Sequence, residues 1–302
     1  MRRGCLTFGK DFWARKHRLS NKQLSQRGAV MNAQGVQVKT ETTYQAERAL
    51  GLGQVTPTPE WVLERYRRHD LWWAFPKEFI FKCLCDVTGK NILDVGCGEG
   101  ETSTQLAKLG AYVTGIDVSP ELIAIAKVRA ELDGVRDRAQ FFVNDLTKAS
   151  LPQGNFDHII CSAVLHHFDF RPVVPKLWQS LKSGGVAVML EPIALSPLLQ
   201  KLRDKLPIKK DAGPHDRQLT RDDLNFLMAS LDDAHVTFFN LFGRLNRFFP
   251  NRNKIDRGHP LTKAALVCLG TIDRILVTLV PPLSKFYGTA VVVGRKSVDT
   301  HP

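Results

Sequence analysis

Cysteine is scarce. The 302 residues hold six (Cys5, Cys83, Cys85, Cys97, Cys161 and Cys268). So few, so widely spread, exclude the dense disulfide framework of small secreted domains and favour reduced thiols. The one close pair, Cys83-x-Cys85, has no second pair and no histidine at zinc-ligand spacing, which argues against a structural metal site. No run of 18 or more uncharged apolar residues occurs, so an ordinary membrane span is not expected. An apolar segment of secretory type, internal repeats and low-complexity stretches are also lacking. Acid is almost missing from the start of the chain. Residues 1–40 carry nine Lys or Arg against Asp11 alone, whereas the other 262 residues hold 33 basic and 29 acidic side chains. The net charge of +12 is therefore mostly that of one segment, and the rest is close to balance. A high overall charge of this origin is not a nucleic-acid signature.

Hydrophobic residues at 43% suffice for a sizeable core, and charged residues at 24% are ordinary for a soluble protein. The basic segment lacks apolar periodicity and reads as an unstructured extension. Its other readings are an organelle transit segment or an arm for RNA or an anionic surface. Thr58-Pro59-Glu60 predicts a helix start with Thr58 as N-cap, and Pro76 a second start. Apolar strands and amphipathic helices then alternate: strands at 92–95, 111–117, 140–143, 157–162 and 185–190, with helices at 101–109, 120–132 and 172–181 between them. This alternation predicts an α/β fold whose parallel sheet is covered on both faces. A short helix is expected at 197–206, a loop at 209–220 and a helix from Thr220 to Leu231. Residues 235–241 and 289–293 read as closing strands around an insertion at 243–286. The insertion opens with basic and aromatic residues and continues into an apolar helix near 262–280 that carries Asp273-Arg274 in its middle.

The informative segment is Asn91-Ile92-Leu93-Asp94-Val95-Gly96-Cys97-Gly98-Glu99-Gly100-Glu101. A buried strand enters a Gly-x-Gly-x-Gly turn and then a helix, so the backbone bends sharply and approaches a ligand closely. A dinucleotide-binding loop would need glycine where Glu101 stands. Glu99 and Glu101 would also repel a pyrophosphate at the positive helix start, but they suit a ligand with sulfonium and ammonium groups. Asp117 ends the second strand, 21 residues after Gly96, where a carboxylate can accept both hydroxyls of a ribose. Asn144-Asp145 follows the third strand, within reach of an adenine amino group. Ser162-Ala163-Val164-Leu165-His166-His167 follows the fourth, and Glu191-Pro192 ends the fifth.

Residues 88–192 resemble the class I S-adenosylmethionine-dependent methyltransferases, in particular a branch with Leu-His-His after the fourth strand that includes quinone, lipid and natural-product enzymes. The resemblance covers about a third of the chain. It implies a Rossmann-like sheet of seven mostly parallel strands with helices on both faces, extended by a helical cap and insertion. It also implies S-adenosylmethionine as cofactor. Asp94, Gly96 and Gly98 would hold the amino-acid end, with Cys97 and Val118 in the same two turns. Asp117 would bind the ribose, Asn144, Asp145 and Leu146 the adenine, and Ser162 would lie beside the methionine part. His166 or His167 is the candidate base, since imidazole titrates near working pH. A histidine at the place of His166 serves so in similar phosphoethanolamine methyltransferases, although those carry Asp where Ser162 stands.

The expected organisation is a basic extension at 1–50 and one domain at 51–302, made of a helical lid at 55–87, a cofactor core at 88–195 and a C-terminal part. The expected activity is methyl transfer to O, N or C of a small molecule, lipid and aromatic natural products included. The alternatives are a protein or RNA methyltransferase docking through the basic segment, or a silent S-adenosylmethionine-binding protein. The missing Asn-Pro-Pro-aromatic segment argues against nucleobase amino methylation. A peripheral lipid contact through 243–280, a homodimer and a cytoplasmic location, with organelle targeting as its variant, complete the expectations.

Overall fold

The computed structural model describes residues 30–31, 37–38, 55–148, 151, 156–196, 217–242 and 260–298. The predicted helix at 197–206, the loop at 209–216 and the basic part of the insertion, 243–259, lie outside them, as does most of the extension. Within that extension Val30–Met31 pairs antiparallel with Gln37–Val38.

Seven strands form one sheet: β1 Asn91–Val95, β2 Tyr112–Asp117, β3 Ala139–Val143, β4 Phe156–Ser162, β5 Leu181–Pro192, β6 His235–Phe239 and β7 Thr289–Arg295. Their order is β3-β2-β1-β4-β5-β7-β6. The first five run parallel, while β7 is antiparallel to both of its neighbours. The order in which strands are added thus reverses at β1, and the crevice at the carboxyl ends of β1 and β4 is the switch point where such sheets bind ligands.

Both faces of the sheet are covered, which explains the unbroken apolar strands. Side chains alternate by strand geometry. Ile92, Ile160, Val186 and Val188 enter one core cluster with Phe79, Ile80, Phe81, Leu106 and Ala126. Leu93, Val95, Ile159, Cys161 and Met189 enter the other with Phe170, Leu177, Leu224 and Tyr287. The covering helices are α1 Glu60–Arg68, α2 Pro76–Leu84, α3 Glu101–Lys108, α4 Pro120–Leu132, α5 Val174–Ser180, α6 Arg221–Ser230 and α7 Pro260–Leu279. Four of them, α2, α3, α4 and α6, start where the sequence suggests. Ser119 caps α4 by accepting from the Leu122 amide at 3.2 Å, and Thr220 with Asp223 forms a capping box on α6.

One start is corrected. Pro59, not Thr58, is the N-cap of α1. Thr58 is drawn instead to the C-terminal end of α4, where its amide and hydroxyl both donate to the Asp133 carboxylate at 2.6 and 2.7 Å. A charge-assisted pair across the fold outbids a local cap. Strand β5 also starts earlier than the apolar run suggests. Leu181 pairs with Phe156 through a register irregularity that includes Gly184 and Gly185.

Candidate functional site

A cleft of about 570 Å³ opens at the switch point. The β1–α3 turn, the ends of β2 and β3, and the stretch after β4 line it. The sequence-derived cofactor residues all stand on its wall: Asp94, Gly96, Cys97, Gly98, Asp117, Val118, Asn144, Asp145, Leu146 and Ser162. His167 and Phe168 stand there too.

The glycine turn needs its glycines for two different reasons. Gly96 has φ +65°, and a Cβ there would come within 2.2 Å of Val164 Cγ2, so side-chain bulk is excluded by the β4 loop. Gly98, at φ +54°, faces open space, so its backbone is bare toward the cleft. The turn is tied to β2: the Cys97 amide donates to the Ile116 carbonyl at 3.0 Å, and the Gly98 amide to Asp117 Oδ2 at 2.9 Å. Asp117 Oδ1 accepts from the Ser119 amide at 2.9 Å. Two backbone donors therefore fix the rotamer of Asp117 and leave lone pairs for further donors. Burial raises its pKa, against the opposing pull of those amides and of His167.

Asp94 is the most deeply set acid of the cleft, 2% exposed. Its Oδ2 accepts the Ser103 hydroxyl at 2.6 Å. Burial pushes its carboxyl up to about 6, against the hydrogen bond from Ser103 and the charge of Lys77. Burial likewise raises the Cys97 thiol, which makes it a filler of the turn rather than a nucleophile.

The two glutamates of the turn are less free than the sequence suggests. Glu99 pairs with Arg129 of α4 and Glu101 with Lys77 of α2, each at 2.9 Å. The charge of Lys77 holds the Glu101 carboxyl below its ordinary value. The second pair ties the start of α2 to the start of α3.

Sequence reasoning gave Glu191 no role beyond ending a strand. It is 1% exposed at the carboxyl end of β5. Its Oε1 accepts the amides of Val164 and Leu165 at 2.9 and 2.8 Å, and its Oε2 faces His166 Nδ1 at 2.7 Å. The signal was present in the sequence, as a lone acid in the apolar run Val186–Leu190 at the same sheet edge as the histidines. His166 does not stand on the cleft wall. It sits behind His167, ring centroids 4.0 Å apart.

Residues 93–189 match the family described as a methyltransferase domain. The ubiquinone biosynthesis O-methyltransferase of Schizosaccharomyces pombe is 37% identical over 103 residues, 34% of this chain and 38% of that protein. The protein of the same name from Xanthomonas euvesicatoria is 34% identical over 113 residues, 37% of this chain and 46% of that one. The chain thus spans less than half the length of these curated relatives. Among solved structures, Streptomyces coelicolor geranyl diphosphate C-methyltransferase superposes with TM-score 0.52 at 13% identity, covering 73% of this chain and 75% of that one. Haemonchus contortus phosphoethanolamine N-methyltransferase 2 gives 0.51 at 16% identity, covering 85% and 57%. Residues 93–189 thus resemble a methyltransferase domain in sequence, and the sheet shares the fold of these methyltransferase structures.

Proposed function

We propose that the protein is an S-adenosylmethionine-dependent methyltransferase acting on O, N or C of a small molecule. The observation that carries this is the acidic cleft at the switch point, where buried Asp94 lies beside the bare backbone of Gly98 and the preset carboxylate of Asp117. A pyrophosphate would meet the carboxylates of Asp94 and Asp117 there, while those of Glu99 and Glu101 are taken up by Arg129 and Lys77. A ligand with an ammonium and a sulfonium meets complementary charge. The likeness to enzymes named for O-methylation in ubiquinone biosynthesis supports a small-molecule acceptor.

When bound, S-adenosylmethionine supplies an electrophilic methyl group on a sulfonium. Asp94 and the Gly96–Gly98 backbone hold its amino-acid end, Asp117 its ribose, and Asn144, Asp145 and Leu146 its adenine. Ser162 lies beside the methionine part. Holding the acceptor on the displacement axis provides most of the rate enhancement. Where the acceptor carries a proton that must leave, His166 takes it on Nε2. A carboxylate only accepts, so Nδ1, facing Glu191, carries the proton and Nε2 keeps the lone pair. His167, whose ring neighbours that of His166, lines the cleft beside it.

Calorimetry separates this reading from its rival. S-adenosylmethionine is expected to bind, and NADH is not; NADH binding alone would sink the proposal. The pH dependence has a defined sign. A cofactor ammonium requires ionised Asp94, whose carboxyl burial pushes up to about 6. Binding below that pH must expel a proton, so affinity falls by about tenfold per pH unit of further acidification. Near pH 6 the apparent binding enthalpy should change with the ionisation enthalpy of the buffer. A flat affinity profile between pH 5 and pH 7, about a unit either side, would remove Asp94 from the ammonium site.

Domain limits at 1–50 and 51–302, a cytoplasmic or organelle location, a homodimer and a lipid contact through 243–280 belong to the same reading. The S. pombe relative is named as mitochondrial, which fits the Arg-rich, acid-poor extension as a transit segment.

A further inference from the structure

One buried imidazole has no part in the cleft. His158 stands near the start of β4 and is 8% exposed. Its register partners are Ile92 on β1 and Val186 on β5. Neighbours across a sheet share a face, so the ring lies on the side of the apolar cluster that holds both of them. Neither Nδ1 nor Nε2 has a hydrogen-bond partner. A neutral imidazole has one N–H and one bare nitrogen, and here both are stripped of water without compensation.

The surroundings tolerate only the neutral ring. Three charged groups act on it: Asp157 on its own strand, Lys90 just before β1 and Arg295 at the end of β7. Two of the three are cations. The one anion is already engaged, since Asp157 accepts the Asn91 amide at 2.8 Å and the Lys182 ammonium at 3.1 Å. Of the titratable groups on α2, Cys83 packs against this cluster, and burial pushes its thiol up to about 11, so it carries no charge. Lys77 and Glu78 pair with Glu101 and Arg65 instead, and Lys82 lies over the Trp72 ring. Among the described residues an imidazolium would thus gain no carboxylate of its own.

The ladder is also weakest here. Leu181 pairs with Phe156, and the next regular pair is Val186 with His158, so β5 advances five residues while β4 advances two. His158 therefore makes the first regular pair, with an irregular stretch on one side of it.

We propose that His158 is an acid-sensitive latch: when its imidazole takes a proton, the ring leaves the interior and the first pairs between β4 and β5 open. At neutral pH the uncharged ring completes the sheet. In acid the charged ring needs water, and the irregular stretch beside it gives way before the rest of the strand. The opening begins on the strand that ends at Ser162 in the cleft wall.

Linkage sets the sign. Burial, aided by the charges of Lys90 and Arg295, pushes the ring from its ordinary 6.5 down to about 4. The unfolded chain holds this proton more tightly, so the contribution to stability is complete above pH 6.5 and is lost as pH falls from 6.5 toward about 4. Asp94 acts in the opposite direction between 3.8 and about 6. The test is therefore the difference between the parent and His158→Phe, in which Asp94 cancels. Phe fills a similar space without polar atoms, so the variant should be no less stable than the parent at neutral pH.

The full chains are unfolded by denaturant at about pH 7.5 and about pH 5. Between the two, the folded-to-unfolded ratio of the parent should fall about thirtyfold more than that of the variant. Hydrogen exchange then locates the opening. Corrected for the intrinsic rate, the amides of 156–160 should lose protection about tenfold more than those of β2. Titration of the His158 ring signals by NMR in the parent covers the case in which the variant fails to fold. A ring that titrates at its ordinary value or above, a variant as acid-sensitive as the parent, or protection lost evenly across the sheet would each overturn the proposal. No methyl donor or acceptor enters these measurements, so their failure leaves the methyltransferase reading standing, and the reverse holds.

Discussion

Replacing Asp94 by Asn is expected to stabilise the unliganded protein at neutral pH while removing most of its hold on S-adenosylmethionine. The wild-type carboxyl is 2% exposed and titrates at about 6 instead of its ordinary 3.8, chiefly because burial penalises its charge. A raised carboxyl pKa means that the folded state binds the proton more tightly than the unfolded chain. Its contribution is thus most favourable at low pH and is lost as pH rises from 3.8 through about 6. Above that window the ionised side chain costs up to about 3 kcal/mol. Asn is neutral and can still accept the Ser103 hydroxyl through its amide oxygen, so the variant escapes that cost. Its thermal midpoint should exceed that of the wild type by a few degrees at pH 7.5, and the difference should vanish near pH 4. Affinity for S-adenosylmethionine should fall by about a hundredfold, the value of a charge-assisted hydrogen bond to an ammonium. Thermal melts at the two pH values and calorimetry check both halves. A variant less stable at pH 7.5, or one that binds as the parent does, would refute the assignment. The trade-off follows from the site's purpose, because the carboxylate is held in readiness for a cation that arrives with the ligand.

Much of this was legible in the sequence because it was written locally. The Gly-x-Gly-x-Gly turn, the acid at the end of β2 and the polar pair after β3 each follow a strand whose apolar run is visible alone. Their convergence follows from parallel strands all ending at one edge. What the sequence hid were pairings between distant residues. Thr58 looked like a cap because its partner Asp133 lies 75 positions away. Glu99 and Glu101 looked like free acids because Arg129 and Lys77 reach them from other helices. Asp273 looked anomalous in an apolar helix until the Leu241 and Phe242 amides came to meet it. Glu191 was passed over because an acid at a strand end is usually solvated, and its three partners lie more than 20 positions upstream.

Glu191 gives the second large expected effect, and conversion to Gln isolates it. In the wild type one carboxylate oxygen accepts two backbone amides and the other faces His166 Nδ1. In Glu191→Gln the amide oxygen can keep both backbone bonds, but its NH2 group must point at Nδ1. A donor there forces the imidazole proton onto Nε2, so the nitrogen proposed to take the acceptor's proton becomes a donor itself. The loop after β4 stays in place, and the cofactor residues across the cleft are untouched. Turnover on an acceptor whose proton must leave should therefore fall by about a hundredfold or more, the usual scale of a lost general base. Affinity for S-adenosylmethionine should change by less than about threefold. Glu191→Ala serves as the contrast. It strands two buried amides and opens a void, and it should destabilise the fold by about 3 kcal/mol or more without selecting a tautomer. The ¹⁵N shifts of the His166 ring report the tautomer directly and need no acceptor. If the Gln variant turns over as the parent does while its ring shows the inverted tautomer, His166 is not the base, and Glu191 serves only to hold the loop.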